Sequence, residues 1–462
     1  MTRQSKLFRW SILYALILSV APPASAQLKE QLLYSFQGGS DGSTPVGAIV
    51  FDKQGNLYGA TSSGGASSCL GPSGCGTVFQ LAPPAKQGDP WTETVLYVFK
   101  GRTYGDGAAP AGGLIMDVAG NLYGTTAYDG TGTCTLLGSV VGCGIVYEVS
   151  PPAQPGGAWT ETVLYSFRGG TDGYSPSGDL VFDGAGNLYG TTLFGGGKGT
   201  NCGDSLYPNC GTIFELSPPK TKGGAWTETV LYSFTGLQPW SVSGDGSEPN
   251  GGLVFDEAGD IYGTTSNGGS NIPNCGSNGC GAAFELVPPK QEGGTWTENI
   301  LYRFEGLPND GSRPNGNLIL VEGALYGTTL SGGSGVFGIV YSLKPNKANN
   351  LWVKTTVYSF LGGHNPDGPA GGLTITKGGD VLGTARGGGA NFGGAVFRLM
   401  PPHQGSGWSL LDLYDFGRAP AASGPIGELV SDGADSFYGI TQVGGSGQAC
   451  QGGCGTVYEV TP

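Results

Sequence analysis

The sequence predicts an all-β fold, a seven-bladed β-propeller built from four-stranded antiparallel blades. Three observations predict it. Three short phrases recur seven times each, in fixed order. Each repeat contains four strand-like runs separated by turn residues. The two ends of the chain hold complementary parts of one repeat.

The first phrase is "LYSF", with its aromatic pair at Tyr34–Phe36, Tyr97–Phe99, Tyr165–Phe167, Tyr232–Phe234, Tyr302–Phe304, Tyr358–Phe360 and Tyr414–Phe416. The second, "GNLYG", is anchored at Tyr58, Tyr123, Tyr189, Tyr262, Tyr326, Leu382 and Tyr438. The third, "GTVF", ends at Phe79, Tyr147, Phe214, Phe284, Tyr341, Phe397 and Tyr458. The phenylalanines of the first phrase lie 63, 68, 67, 70, 56 and 56 residues apart. In the second repeat the four runs are "GGLIMD", "NLYGTT", "GIVYEVS" and "WTETVLYSF". Period-2 alternation and β-branched or aromatic residues mark them as strands. No helical periodicity of useful length appears beyond the N-terminal segment. Four strands repeated radially make a propeller blade. A β-solenoid would need a period of roughly 20 to 30 residues.

The 90 Gly and 30 Pro punctuate these runs, so they read as turns. With only 12% charged residues the chain does not resemble a disordered polyelectrolyte.

Residues 1–26 read as a signal peptide. Arg3, Lys6 and Arg9 form the basic region, "WSILYALILSVA" the apolar core, and "ASA" a small-x-small cleavage site ending at Ala26. Mature residues 27–36, "QLKEQLLYSF", form a fourth strand without its first three; residues 417–462 supply three strands without a fourth. Pairing 27–36 with 455–462 closes the ring and removes an exposed edge. The expected blades are 37–99, 100–167, 168–234, 235–304, 305–360, 361–416, and 417–462 completed by 27–36. A repeated Trp on the fourth strand (Trp91, Trp159, Trp226, Trp296, Trp352, Trp408) reads as inter-blade packing.

Loss of the three basic leader residues takes the formal charge from −13 to −16. No basic patch appears, which argues against nucleic acid as a partner. The expected state is a monomer, secreted or periplasmic, with no membrane span.

These phrases resemble the Gloeo/Verruco (GloVer) tandem repeat of secreted bacterial proteins, and the resemblance covers essentially all of 27–462. It implies a propeller-like repeat architecture, often followed by a C-terminal surface anchor, and brings no catalytic residues with it.

The ten cysteines fall in five pairs, Cys69/Cys75, Cys134/Cys143, Cys202/Cys210, Cys275/Cys280 and Cys450/Cys454, each between the second and third strands of one repeat. The fifth and sixth repeats lack cysteine and have shorter loops there. Cysteines that arrive in pairs with extra loop predict five local disulfides in an oxidising compartment. Zinc is the competing reading, but two thiols fill only half a tetrahedron, and His364 and His403 are the only histidines.

In a blade, the loop between the second and third strands shares a face with the connection into the next blade. The cysteine loops and the "DGxxP" segments therefore ring one face, expected to carry function because variable loops on a rigid scaffold do. Six repeats place an Asp there: Asp41, Asp106, Asp172, Asp245, Asp310 and Asp367. Such a ring could bind calcium through oxygen ligands, or serve tight turns through Asp-Gly capping; no cofactor is otherwise expected. Trp240 sits in an inserted loop and could stack on a sugar or an apolar side chain. Tyr104, Tyr174 and Tyr207 lie in loops assigned to the same face, with Phe194, Phe337, Phe392, Arg102, Arg313 and Arg386.

No GxSxG elbow, HExxH or P-loop is present, and catalytic residues remain unassigned. The reading is an exported binding or scaffold module for extracellular polysaccharide or protein. The alternatives are a carboxylate-based, calcium-assisted enzyme of lyase, hydrolase or lactonase type at the channel mouth, and a structural envelope protein.

Overall fold

Each repeat folds into one antiparallel sheet whose four strands run in meander order from the channel outward. The computed structural model describes residues 29–461 apart from 66–68, 70–73, 87, 137–138, 198–201, 203–209, 222, 238–243, 292, 347, 349–350, 404–406 and 434–435. Blade 1 contains Ser43–Phe51, Leu57–Ser63, Thr77–Ala82 and Thr92–Val98. Seven such blades are present. The signal segment lies outside the described residues.

Ring closure follows the pairing expected from the chain ends. Lys29–Ser35 lies antiparallel to Thr456–Thr461, with Tyr34 opposite Val457, and completes the blade formed by Ser423–Ser431 and Phe437–Val443. This is the only blade assembled from both ends of the chain. All others are local in sequence.

The repeated letters have physical reasons. In "GNLYG" the second glycine faces the aromatic of the third strand. A Cβ on Gly59, Gly190, Gly263 or Gly383 would collide with the ring of Phe79, Phe214, Phe284 or Phe397, and one on Gly124, Gly327 or Gly439 with Tyr147, Tyr341 or Tyr458. Each ring fills the socket that the missing side chain leaves, and packs edge-to-face on the Phe of the preceding blade. The pairs Phe36–Phe79, Phe99–Tyr147, Phe167–Phe214 and Phe416–Tyr458 have centroids 5.1, 5.0, 5.1 and 4.8 Å apart. Every core cluster thus spans two neighbouring blades. The strand-four Trp residues extend the same seams: Trp159 lies 6.0 Å from Tyr58, and Trp352 lies 5.9 Å from Tyr262. The "FDxxGN" turn is held by its Asp. Asp52 accepts the backbone N–H of Gln54 and Asn56 at 2.8 and 2.9 Å.

At the axis the packing becomes backbone on backbone. Gly47, Gly112, Gly178, Gly251, Gly316, Gly371 and Gly427 occupy one repeat position on the inner strands. A Cβ on any of them would lie closer than 3.0 Å to backbone of the next blade, around a complete circle that returns from Gly427 to Gly47. The inner strands pay for this approach in ladder pairing. Their register breaks between Val46 and Val50, and in blade 3 the strand splits into Tyr174–Pro176 and Val181–Phe182.

All five disulfides form within their loops: Cys69–Cys75, Cys134–Cys143, Cys202–Cys210, Cys275–Cys280 and Cys450–Cys454. Their Cα–Cα distances run from 4.8 to 5.1 Å, inside the normal range. Among the described residues no helix is long and apolar enough to cross a membrane.

The outer seams hold a second repeated cluster. The tyrosine of "LYSF" donates its hydroxyl to the Asp of the following "DG" segment, and a carboxyl from the next blade's fourth strand faces that Asp. Burial first, and the Asp charge second, push Glu93, Glu161, Glu228 and Glu298 up to about 7. The partners are Asp41, Asp106, Asp172 and Asp245. At one seam Lys354 stands in the glutamate's place and forms a buried 2.5 Å ion pair with Asp310.

Gly251 has no positive φ, so Gly251→Ala tests contact alone; it should destabilise by about 1–3 kcal/mol through overpacking. Gly184→Ala, with open space around it, should stay within about 0.5 kcal/mol of the parent in denaturant unfolding. The four glutamates bind their protons more tightly when folded than when unfolded. Their contribution is therefore most favourable below about pH 4.5 and is lost as pH rises towards 7. The melting temperature should fall between about pH 5 and 7.5, and combined Glu93→Gln and Glu161→Gln substitution should flatten that fall. An unchanged slope in the double variant would exclude these carboxyls as its source.

Candidate functional site

The position directly after the ring glycine looks into the channel. Across the seven blades it is occupied by Ala48, Gly113, Asp179, Gly252, Asn317, Gly372 and Glu428. Four blades carry only Gly or Ala. Blades 3, 5 and 7 carry Asp, Asn and Glu. Polar side chains thus project from alternate blades, and the intervening glycines leave room and backbone N–H groups for them.

The three converge. Asn317 Nδ2 donates to Asp179 Oδ2 at 2.7 Å and also hydrogen-bonds to Glu428. Asn317 Oδ1 accepts the Gly252 N–H at 2.7 Å, which fixes which way the amide points. Asp179 Oδ1 accepts the Gly113 N–H. Burial first, and the Asp179 charge second, push the Glu428 carboxyl up to about 7 against the opposing Asn317 hydrogen bond. One carboxylate is therefore held by two N–H donors, while its neighbour exchanges a proton near neutrality. That is the arrangement in which two carboxyls take unlike roles.

A cavity of about 460 Å³ opens over this cluster. Its wall adds Asn250, Asn315, Ser177, Arg386 and Gln442. Asn250 Nδ2 donates to Asn315 Oδ1 at 2.8 Å, and Asn315 Nδ2 to the Ala370 carbonyl at 3.1 Å. The lining comes from the beginnings of inner strands and the ends of second strands, so the mouth opens on the face of the "DG" segments and cysteine loops. A larger hollow, about 750 Å³, lies between blades 5 and 6 at the opposite face. Its charged side chains, Glu322, Lys344 and Lys377, are all exposed and form no comparable constellation.

The structure places the sequence candidates elsewhere. Asp41, Asp106, Asp172, Asp245 and Asp310 lie at the outer seams. They accept the hydroxyls of Tyr34, Tyr97, Tyr165, Tyr232 and Tyr302 at 3.0, 2.7, 2.6, 2.8 and 2.9 Å. Each also accepts a backbone N–H, from Gln37, Lys100, Arg168, Thr235 and Glu305 respectively. These bonds are the turn chemistry, and they spread the carboxylates around the perimeter instead of gathering them at one ion. Asp367 departs from the set: it lies in the short strand Pro366–Pro369, opposite Gly387, and burial raises its carboxyl pKa. Among the described residues no three His, Cys, Asp or Glu side chains form a metal-holding group. Tyr104 is 69% exposed, with the Lys100 ammonium 5.5 Å from its ring. Tyr174 is a correction: it begins an inner strand, is buried, and packs at 5.2 Å on Phe194. Trp240 and Tyr207 lie outside the described residues. Of the named cations, Arg386 alone lines the channel.

Asp179, Asn317 and Glu428 were missed by looking for what repeats. The signal was present as its opposite, three departures at one repeat position.

The chain aligns along most of its length with several solved structures. A Dyadobacter fermentans protein of unknown function aligns at TM-score 0.44 and 10% identity over 94% of this chain and 98% of its own. The pyranose dehydrogenase PQQ domain from Coprinopsis cinerea aligns at 0.43 and 11%, over 95% and 96%. A gluconolactonase from Xanthomonas campestris aligns at 0.37 and 12%, over 86% and 91%. Likenesses this distant carry no argument about activity. No curated protein matches the sequence. The Gloeobacter/Verrucomicrobia repeat model matches residues 16–201 and 272–462, so the chain, a disulfide-bonded seven-bladed propeller, belongs to that repeat family.

Proposed function

We propose that the protein is an extracytoplasmic glycan-binding module that seats one sugar unit in the channel mouth on its disulfide-clamped face. The alternate-blade trio Asp179, Asn317 and Glu428 carries this reading. A neutral sugar presents hydroxyls that both donate and accept. Carboxylate oxygens accept from them, and the second N–H of the Asn250 and Asn315 amides supplies the complementary donors, while Asn317 holds the two carboxyls in place. The cavity of about 460 Å³ suits one or two pyranose rings better than a folded protein segment. The five disulfides and the repeat family favour a compartment outside the cytoplasm.

One observation favours a second reading. Glu428, poised near neutrality beside Asp179, could move a proton at a glycosidic or lactone oxygen. Calcium would find two carboxylates here. The Asn317 oxygen, turned to Gly252, would not be among its ligands without a change of rotamer.

Titration calorimetry of the mature protein against neutral oligosaccharides, with and without calcium, tests the first reading. Asp179→Asn and Glu428→Gln should each weaken binding roughly tenfold or more. Equal affinity in parent and both variants would exclude the channel trio. Turnover of a glycoside or sugar lactone that falls about a hundredfold in Glu428→Gln would establish the second reading in its place.

A further inference from the structure

Two residues beyond each blade-closing Phe, the chain places Gly38, Gly101, Gly169, Gly236, Gly306 and Gly362, and then Arg418. At Gly38, Gly101, Gly169 and Gly306 a Cβ would meet a disulfide sulfur. In the fifth blade, which has no disulfide, that space is taken by the ring of Phe337 against Gly362. In the sixth blade, the other without a disulfide, Phe392 lies in the corresponding loop, and the Arg418 guanidinium sits 4.6 Å from its ring centroid. Phe337 thus stands where four other blades put sulfur, and Phe392 lies in the equivalent loop of the sixth.

They do more than fill space. Phe392 is 41% exposed and Phe337 38%, and beside them Leu361 is 55% and Val336 49% exposed. Val336 and Phe392 hold positive φ values of 67° and 61°. For a β-branched or bulky residue this conformation is costly, and such strain gathers at recognition sites. His364 packs on Phe392 at 4.8 Å, so one ring carries an imidazole and a guanidinium together. The nearby carboxylates are engaged or withdrawn. Asp415 accepts the Ala390 N–H at 3.0 Å, and Asp367 is partly buried against Gly387. On a chain of formal charge −13, this strip combines exposed apolar surface with a stacked cation.

We propose that the disulfide-free rim of blades 5 and 6 is a docking strip for a uronate-bearing polysaccharide. This rests on the glycan reading above and names the class of glycan. A guanidinium seated over an aromatic ring is partly ordered before binding and can offer its N–H fork to a carboxylate, with less entropy left to lose. The C–H face of a pyranose covers Leu361 and Phe337. Arg386, exposed at the channel mouth, lies on the hairpin that leads into the Phe392 loop. A polymer with a carboxylate on each unit can meet Arg386 with one and Arg418 with another.

The test measures full-length mature protein against oligogalacturonate, its methyl ester, a neutral oligosaccharide and poly-glutamate. Oligogalacturonate should bind, more weakly at high salt, and its uncharged ester should lose roughly tenfold to a hundredfold. Arg418→Ala and Phe392→Ala should each reproduce that loss. Arg418→Lys, which keeps charge but not the fork, should recover only part of it. Unchanged melting temperatures in the exposed Arg418 variants separate lost recognition from misfolding. Loss of neutral-sugar binding in Glu428→Gln with oligogalacturonate binding largely retained supports a distinct strip. Equal binding of ester and acid, equal binding of poly-glutamate, or full affinity in both Arg418→Ala and Phe392→Ala overturns the proposal. If neutral sugars fail to bind while the strip variants still lose oligogalacturonate, the channel reading falls and the strip stands.

Discussion

Seven glycines touching around the channel axis set the terms for the rest of the molecule. From Gly47 through Gly427 back to Gly47, backbone meets backbone at a spacing no Cβ could occupy. Seven inner strands can pass that close only if this one position is empty in every blade. The diameter of the ring, and hence the seven-fold count, depends on that emptiness. It also decides where a ligand can be held. With no side chain at the ring position itself, the next residue along each inner strand is the first that can reach into the channel, and Asp179, Asn317 and Glu428 stand there.

Outside the ring, the blades are joined by repeated side chains that each need their neighbour. The Phe of one blade meets the aromatic of the next edge-to-face, and that aromatic sits in a socket opened by the glycine of "LYG". Seams of this kind make the blades interdependent, and the terminal blade is no exception because both chain ends are paired into it. The outer carboxyl clusters run against this economy. Glu93, Glu161, Glu228 and Glu298 face an Asp where a lysine would pair better, as Lys354 shows at Asp310. Their repetition marks tolerance, since half-buried carboxyls escape much of the penalty by holding a proton.

Much of this was legible in the sequence because it follows from local chemistry repeated seven times. Strand runs, turn glycines, paired cysteines and the split final blade all declare themselves within one repeat or at the two ends. The candidate site does not. Asp179 and Glu428 are far apart in the chain and come together only when the blades are wrapped into a circle. Nothing local distinguishes "SGDL" or "IGEL" from "GGL" except a departure from a pattern that invites being averaged away. The rim aspartates behave in the opposite way, and the turn role that their Asp-Gly pattern suggests is the one they fill. They repeat conspicuously, yet repetition around a perimeter scatters them, and each is consumed by a tyrosine and a backbone N–H. Tyr174 looked like a loop residue because the inner strand of blade 3 begins earlier than its hydrophobic run.

Recognition and repetition pull in different directions. A sugar unit has no seven-fold axis, so seven identical side chains around a channel would offer it one useful contact and six redundant or repulsive ones. A symmetric scaffold therefore gains specificity only by breaking its own pattern at chosen blades. The clearest breaks in this chain fall on one face: three polar residues on alternate inner strands, two loops that exchange a disulfide for an aromatic ring, and one arginine where six blades keep glycine. Positive φ in non-glycine residues marks both kinds of place: it recurs at the repeated position of Thr44, Ala109, Ser175, Glu248 and Arg313, and appears in the two exchanged loops at Val336 and Phe392. The symmetric positions hold the fold together, and the exceptions are where a ligand can be told from the protein's own symmetry.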